Sequence, residues 1–178
     1  MTSGKPINLC KTMIKKQIFF SVLYFVILVN NNISMAQNKS TFEIQGHRGC
    51  RGLEPENTVP AFKKALALGI KTLELDVIIS KDHQVVVSHE PHFNPNITTK
   101  PDGTFFSKME DSNLYQMNYD EITKYDVGLK GNPNFKVQNK VAAIKPLLKD
   151  VIKLAPKGTK FNIELKSLET EYGITQPN

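Results

Sequence analysis

The chain has 178 residues, 40% of them hydrophobic and 22% charged, an ordinary globular composition with room for one domain. Its net charge of +6 suggests a nucleic-acid or membrane partner, but Lys5, Lys11, Lys15 and Lys16 lie in a leader of 36 residues that contains no acid. Without those four, 19 of the 23 basic residues remain against 17 acidic ones, so the rest of the chain lacks the electrostatic footprint of a polyanion binder.

Residues 1–36 read as an export signal. Lys11, Lys15 and Lys16 form a basic start, and Ile18 to Val29 is apolar apart from Ser21 and Tyr24. Ser34-Met35-Ala36 offers small residues before a cut at Ala36-Gln37. The apolar run is short for a bilayer span, so the expectation is cleavage, with no stable membrane span afterwards and a periplasmic or extracellular product. Met13 serves equally well as a start. Cys10 leaves with the leader, and Cys50 then has no partner for an intrachain disulfide, which suits a small packed side chain.

Residues 41–47 alternate apolar and polar and predict a first strand. Asn57 or Thr58 can cap a helix that carries Pro60 in its first turn, has an apolar face of Ala61, Phe62, Ala65, Leu66 and Leu68, and stops at Gly69. Lys71 to Ile79 predicts a second strand. Leu73, Leu75, Val77 and Ile79 share one face; Thr72, Glu74, Asp76 and Ile78 share the other. Together these form a βαβ unit. Lys81-Asp82-His83 reads as a turn. The chain beyond Asp76 is expected to run back down, and Val85 to His89 to climb again, which brings His89 level with Asp76.

From Pro91 to Lys140 the periodicity fades into Pro, Asn, Asp and Gly, with at most one short helix near Tyr115 to Tyr125. Loops this long commonly act as lids or insertions. Pro146 to Leu154 has helical spacing, and Lys160 to Lys166 alternates as another strand, with Asn162, Glu164 and Lys166 on one face.

Two strands that direct Glu74, Asp76 and Glu164 to one side need a cation there, because adjacent like charges are costly. Three carboxylates suit Mg²⁺ or Ca²⁺, and no cysteine-histidine cluster has zinc spacing. His47 and His89 stand at strand ends beside this set and suit a general acid and base. His83 and His92 are assigned to a turn and a surface loop. Arg48 can clamp a phosphate bidentately and Lys166 can add a point charge. The residues alone describe a metal-assisted phosphoester site.

His47-Arg48-Gly49, Pro55-Glu56-Asn57-Thr58, Ala61-Phe62, Glu74-Leu75-Asp76-Val77 and His89, in this order and spacing, resemble the glycerophosphodiester phosphodiesterase family. So do the segments from Lys145 to Ile152 and Ile163-Glu164-Leu165-Lys166, and the likeness covers about residues 42–166. The resemblance implies a TIM-type (β/α)₈ barrel with its site at the C-terminal strand ends. It implies hydrolysis of a small-molecule glycerophosphodiester to sn-glycerol 3-phosphate and an alcohol. On that pattern Glu74, Asp76 and Glu164 hold one divalent cation, Ca²⁺ or Mg²⁺. His47 and His89 are catalytic, as base and acid, and Arg48 and Lys166 bind the phosphate. Glu56 supports them from behind and Asn57 orders the loop.

The segment 91–140 falls where the family carries an insertion after the third strand that shapes the alcohol or glycerol pocket. Two departures stand out: Asp82-His83 replaces a common Asp-Gly, and Glu90 replaces a common Asp. About four barrel strands can be counted, so residues 37–178 are expected to supply roughly the N-terminal half of the barrel, as a fragment or truncated chain with open sheet edges. A phospholipase that cyclises its substrate on the same residues, and an inactive phosphate- and metal-binding fragment, are the alternatives.

Overall fold

The computed structural model describes residues 42–177. The export-signal reading of residues 1–36 lies outside them. Among the described residues no helix is long and apolar enough to cross a membrane.

Strand β1 is short, Gln45–Gly46, because Gly46 leads at once into the turn that carries His47 and Arg48. Helix α1 spans Val59–Ala67. Thr58 caps it, its side chain accepting from the Ala61 N–H, and Pro60 sits in the first turn, where no backbone donor is needed. The helix ends at Leu68, and Gly69 follows with φ +81°, as its position after the apolar run predicts. Strand β2, Thr72–Ile79, is the centre of the sheet. Strand β3 is Val85–Val87, a single-turn helix α2 is Tyr119–Ile122, helix α3 is Leu148–Leu154, and strand β4 is Lys160–Leu165.

β1 and β4 both pair in parallel with β2, in keeping with a segment of a (β/α) barrel. β3 pairs antiparallel with it, matching Val77 to Val87 and Ile79 to Val85. The expected descent and re-climb is therefore wrong. β2 runs unbroken to Ile79, and a three-residue turn cannot return a strand in the same direction. His89 nevertheless comes level with Asp76, because the Ser88 N–H donates to the Asp76 carbonyl at 3.0 Å. β1 and β3 share one edge of β2: the Gly49 and Ser88 amides reach the Glu74 and Asp76 carbonyls on that side, while Lys160 and Lys166 bond Lys71 and Val77 on the other.

The two faces of β2 divide as the alternation predicts. Leu73, Leu75 and Val77 are buried against Phe62 and Ala65 of α1 and Val151 of α3. Each of the larger side chains contributes about 1.5–3 kcal/mol of hydrophobic stabilisation. Ile78, on the other face, joins a second core with Val86, Phe93, Phe106, Leu114, Ile122, Val127 and Leu147. Segment 91–140 is thus a packed unit. The Phe93, Phe106 and Tyr125 rings stack with centroids 4.2–5.7 Å apart. Asp126 ties its return through the amides of Gly128, Leu129 and Ala143. His92, expected on a surface loop, is instead partly buried and bonded through Nδ1 to the Ser112 carbonyl. His83 takes a left-handed φ of +57°, the strained conformation its place before β3 threatened.

Candidate active site

The loop after β1 builds the first wall. Arg48 (φ +50°) and Gly49 (φ +82°) turn the chain sharply, and the Gly49 amide bonds both the Gly46 and Glu74 carbonyls. A Cβ on Gly49 would lie 2.7 Å from the Ala61 Cβ, so glycine lets the loop rest on the start of α1. The Arg48 amide then donates to Glu74 Oε2 at 2.6 Å. Its guanidinium reaches Glu56 Oε1 at 2.7 Å through Nη1 and stands 3.4 Å from Asp76 Oδ2 through Nε. Arg48, expected on the phosphate, is thus largely engaged in holding Glu56 and Asp76. Asn57, also left-handed at φ +55°, donates to Asp76 Oδ2 at 2.9 Å, and its own amide bonds the Arg48 carbonyl.

β2 and β4 supply the acids. Their parallel register sets Asp76 directly opposite Glu164, and one oxygen each of Glu74, Asp76 and Glu164 lies within 4.8 Å of the others. Asp76 is buried and Glu164 exposed. Burial works to raise the Asp76 pKa. The Asn57 hydrogen bond and the positive charge of the nearby Lys166 outweigh it and hold the carboxyl below its usual 3.8. Lys166 Nζ lies 2.5 Å from Glu164 Oε1 and 3.2 Å from Asp76 Oδ1. Burial opposes its charge, but the two carboxylates prevail and raise its pKa above 10.5.

These residues fit a hard divalent cation. All three candidate ligand atoms are carboxylate oxygens. Asp76 Oδ1 is buried and accepts no hydrogen bond among the described residues; Lys166 is close to it but badly aligned. Among the described residues, the five acids Glu56, Glu74, Asp76, Glu90 and Glu164 outnumber the nearby arginine and lysines, Arg48, Lys145 and Lys166, which leaves negative charge for a cation to balance.

The histidines stand on either side. His47 Nε2 is 4.0 Å from Glu74 Oε2 and half exposed. His89 Nδ1 lies 3.0 Å from Glu90 Oε1, so the longer acid at position 90 still reaches the ring. A carboxylate on Nδ1 favours the tautomer that leaves Nε2 to face a reactant.

Lys145 was not foreseen as part of this site. It is buried and donates to Ser88 Oγ at 2.8 Å, next to His89. Burial pushes its pKa down, against the pull of Glu90, Glu56 and Asp76. Segment 91–140 meets the site at Asn132, whose amide is 3.4 Å from Glu56 Oε2. Asn132 also lines a cavity of about 460 Å³ with Asn96, Lys130, Phe135, Gln138 and Lys140, and none of the three acids borders it. Cys50 is half-buried, donates to the Ala61 carbonyl, and has its pKa raised by burial and by Glu54.

Residues 47–174 match the model of the glycerophosphoryl diester phosphodiesterase family. A glycerophosphodiester phosphodiesterase of Caldanaerobacter subterraneus subsp. tengcongensis is 34% identical over 122 residues, covering 68% of this chain and 44% of that protein. A crystal structure from Silicibacter pomeroyi DSS-3 that carries the family's name superposes with a TM-score of 0.68 at 30% identity, covering 75% of this chain and 48% of that one. An Oleispira antarctica phosphodiesterase, solved in complex with the product sn-glycerol-3-phosphate, gives a TM-score of 0.56 at 25% identity, with 75% and 48% covered. The chain spans about half the length of the curated relatives it matches. With its motifs and its carboxylate geometry inside the matched residues, this chain belongs to the glycerophosphoryl diester phosphodiesterase family.

Proposed function

We propose that this chain carries the cation- and phosphate-binding part of an exported phosphodiesterase that hydrolyses glycerophosphodiesters to sn-glycerol 3-phosphate and an alcohol. The observation that carries the reading is the convergence of Glu74, Asp76 and Glu164 within 4.8 Å, with a buried Asp76 oxygen that has no hydrogen-bond partner among the described residues. The family membership and the product bound to the Oleispira antarctica relative support it. The composition of residues 1–36 supports export.

Glu74, Asp76 and Glu164 would hold Ca²⁺ or Mg²⁺, whose charge neutralises the phosphate as the reaction proceeds. Lys166 and the remaining nitrogen of Arg48 hold the phosphate. His47 takes the proton of the attacking oxygen as base. His89, acting as acid with a proton on each ring nitrogen and Nδ1–H held by Glu90, gives the Nε2 proton to the departing alcohol oxygen. Glu56 fixes Arg48, and Asn57 fixes Asp76. Segment 91–140 shapes the pocket of the departing alcohol beside Glu56. Such a closed set of roles belongs to the C-terminal strand ends of a (β/α)₈ barrel.

The test is release of sn-glycerol 3-phosphate from glycerophosphocholine by the full chain, with Ca²⁺ or Mg²⁺ and with a chelator. Cation-dependent release supports the reading. Folded, cation-loaded protein that releases none refutes it for this chain. A cyclic phosphate as first product would identify internal hydroxyl attack instead.

A further inference from the structure

The buried Lys145 Nζ has, among the described residues, one side-chain hydrogen-bond acceptor, Ser88, immediately before His89. Its position is set from outside the site. The Val87 N–H bonds the Pro146 carbonyl, Val86 bridges to Leu147, and the Tyr119 hydroxyl donates to the Lys145 carbonyl. Segment 145–147 thereby runs along the free edge of β3 and delivers Nζ beside Ser88. Phe93, 5.8 Å from Nζ, covers the ammonium. An uncharged side chain would fill this space without the desolvation penalty of a buried cation.

Lys145 Nζ donates to Ser88 Oγ, which makes that oxygen an acceptor on one side and leaves its single hydroxyl proton for the other. That proton goes to the Glu90 carbonyl at 2.6 Å. The Ser88 amide is meanwhile held by the Asp76 carbonyl. The backbone on both sides of His89 is thus pinned, one residue before it and one after, and Glu90 is held where its carboxylate meets His89 Nδ1.

We propose that Lys145 is a positioning residue for His89, acting through Ser88 and Glu90 to hold the imidazole in one orientation and one tautomer. The proposal rests on the reading of His89 as a proton carrier.

The experiment is long-range ¹H–¹⁵N correlation of the full chain labelled with ¹⁵N-histidine, at about pH 8.5, where imidazoles are neutral. The variants are Lys145→Met and Ser88→Ala. The chain has four histidines. In the unaltered protein His89 should show one sharp pair of ring nitrogens, protonated at Nδ1. In both variants its two nitrogen shifts should converge toward the tautomer average, while those of His47, His83 and His92 stay in place. His89 shifts unchanged in folded Lys145→Met overturn the proposal, as do shifts that move in all four histidines, which report general loosening.

Where Lys145→Met does not fold, Lys145→Gln, a neutral donor, takes its place, and an unmoved His89 in both Lys145→Gln and Ser88→Ala overturns the proposal. The readout needs no turnover. Failure to hydrolyse glycerophosphocholine counts against the proposed function, whereas an unmoved His89 counts against the positioning role alone.

Discussion

Replacing Asn57 by alanine removes the hydrogen bond that Nδ2 gives to buried Asp76 Oδ2 at 2.9 Å. A hydrogen bond to a charged group contributes about 1.5–3 kcal/mol. It also puts a Cβ-bearing residue without a polar side chain at φ +55°, where the left-handed conformation costs roughly 1–2 kcal/mol. Asn57→Ala should therefore lose about 3 kcal/mol in urea unfolding followed by circular dichroism, with an unchanged m-value. Asn57→Gly relieves the backbone but not the hydrogen bond. After the extra entropy that glycine loses on folding, it should be about 0.5–1 kcal/mol more stable than Asn57→Ala. Asn57→Asp sets a second carboxylate against Asp76, so its deficit should be the largest near neutral pH and shrink as the solution is acidified. Three variants within about 0.5 kcal/mol of the unaltered chain would refute the claim that Asn57 holds Asp76 in place.

His83→Gly removes left-handed strain in the turn before β3 and should raise stability by about 0.5–1 kcal/mol, read as an upward shift of the urea midpoint. Phe93→Ala should cost about 3–5 kcal/mol and speed amide exchange chiefly in 91–140, whose core it anchors, with β4 little affected. For Lys145 the sign follows from burial. Its pKa is lowered on folding, so between the folded value and 10.5 the unfolded chain binds more protons and stability rises with pH. The stability difference between the unaltered chain and Lys145→Met should therefore shift in favour of the unaltered chain as pH rises from neutrality toward 10; parallel pH profiles would contradict this.

The sheet and its acids were readable because period-two alternation is a local signal. Leu73, Leu75 and Val77 announce the buried face of β2, and the same alternation puts Glu74 and Asp76 opposite them. Glu164 and Lys166 repeat the pattern on β4. Thr58 and Gly69 bracket α1 by capping chemistry that needs no tertiary information. The direction of β3 was also legible, since a turn as short as Lys81-Asp82-His83 joins antiparallel strands, but the expectation that Val85 to His89 climbs in parallel with the start of β2 led the other way. The core of 91–140 was not legible, because Phe93, Phe106 and Tyr125 are far apart in sequence and follow no period. Lys145 escaped for a similar reason. A lysine is exposed by default, and its burial follows only once segment 145–147 lies along β3. The engagement of Arg48 with Glu56 depends on a left-handed backbone that its residue type does not announce.

The central claim is that acids from β2 and β4 form one cation site. Calorimetric titration of Ca²⁺, and separately of Mg²⁺, into the full chain and into Glu164→Gln tests it most directly. Glu164 is exposed and sits at the end of β4, so its replacement should leave the fold in place. The account predicts one ion per chain for at least one of the two cations, weakened by at least about tenfold in Glu164→Gln. No binding of either ion, or binding that Glu164→Gln leaves unchanged, would contradict it.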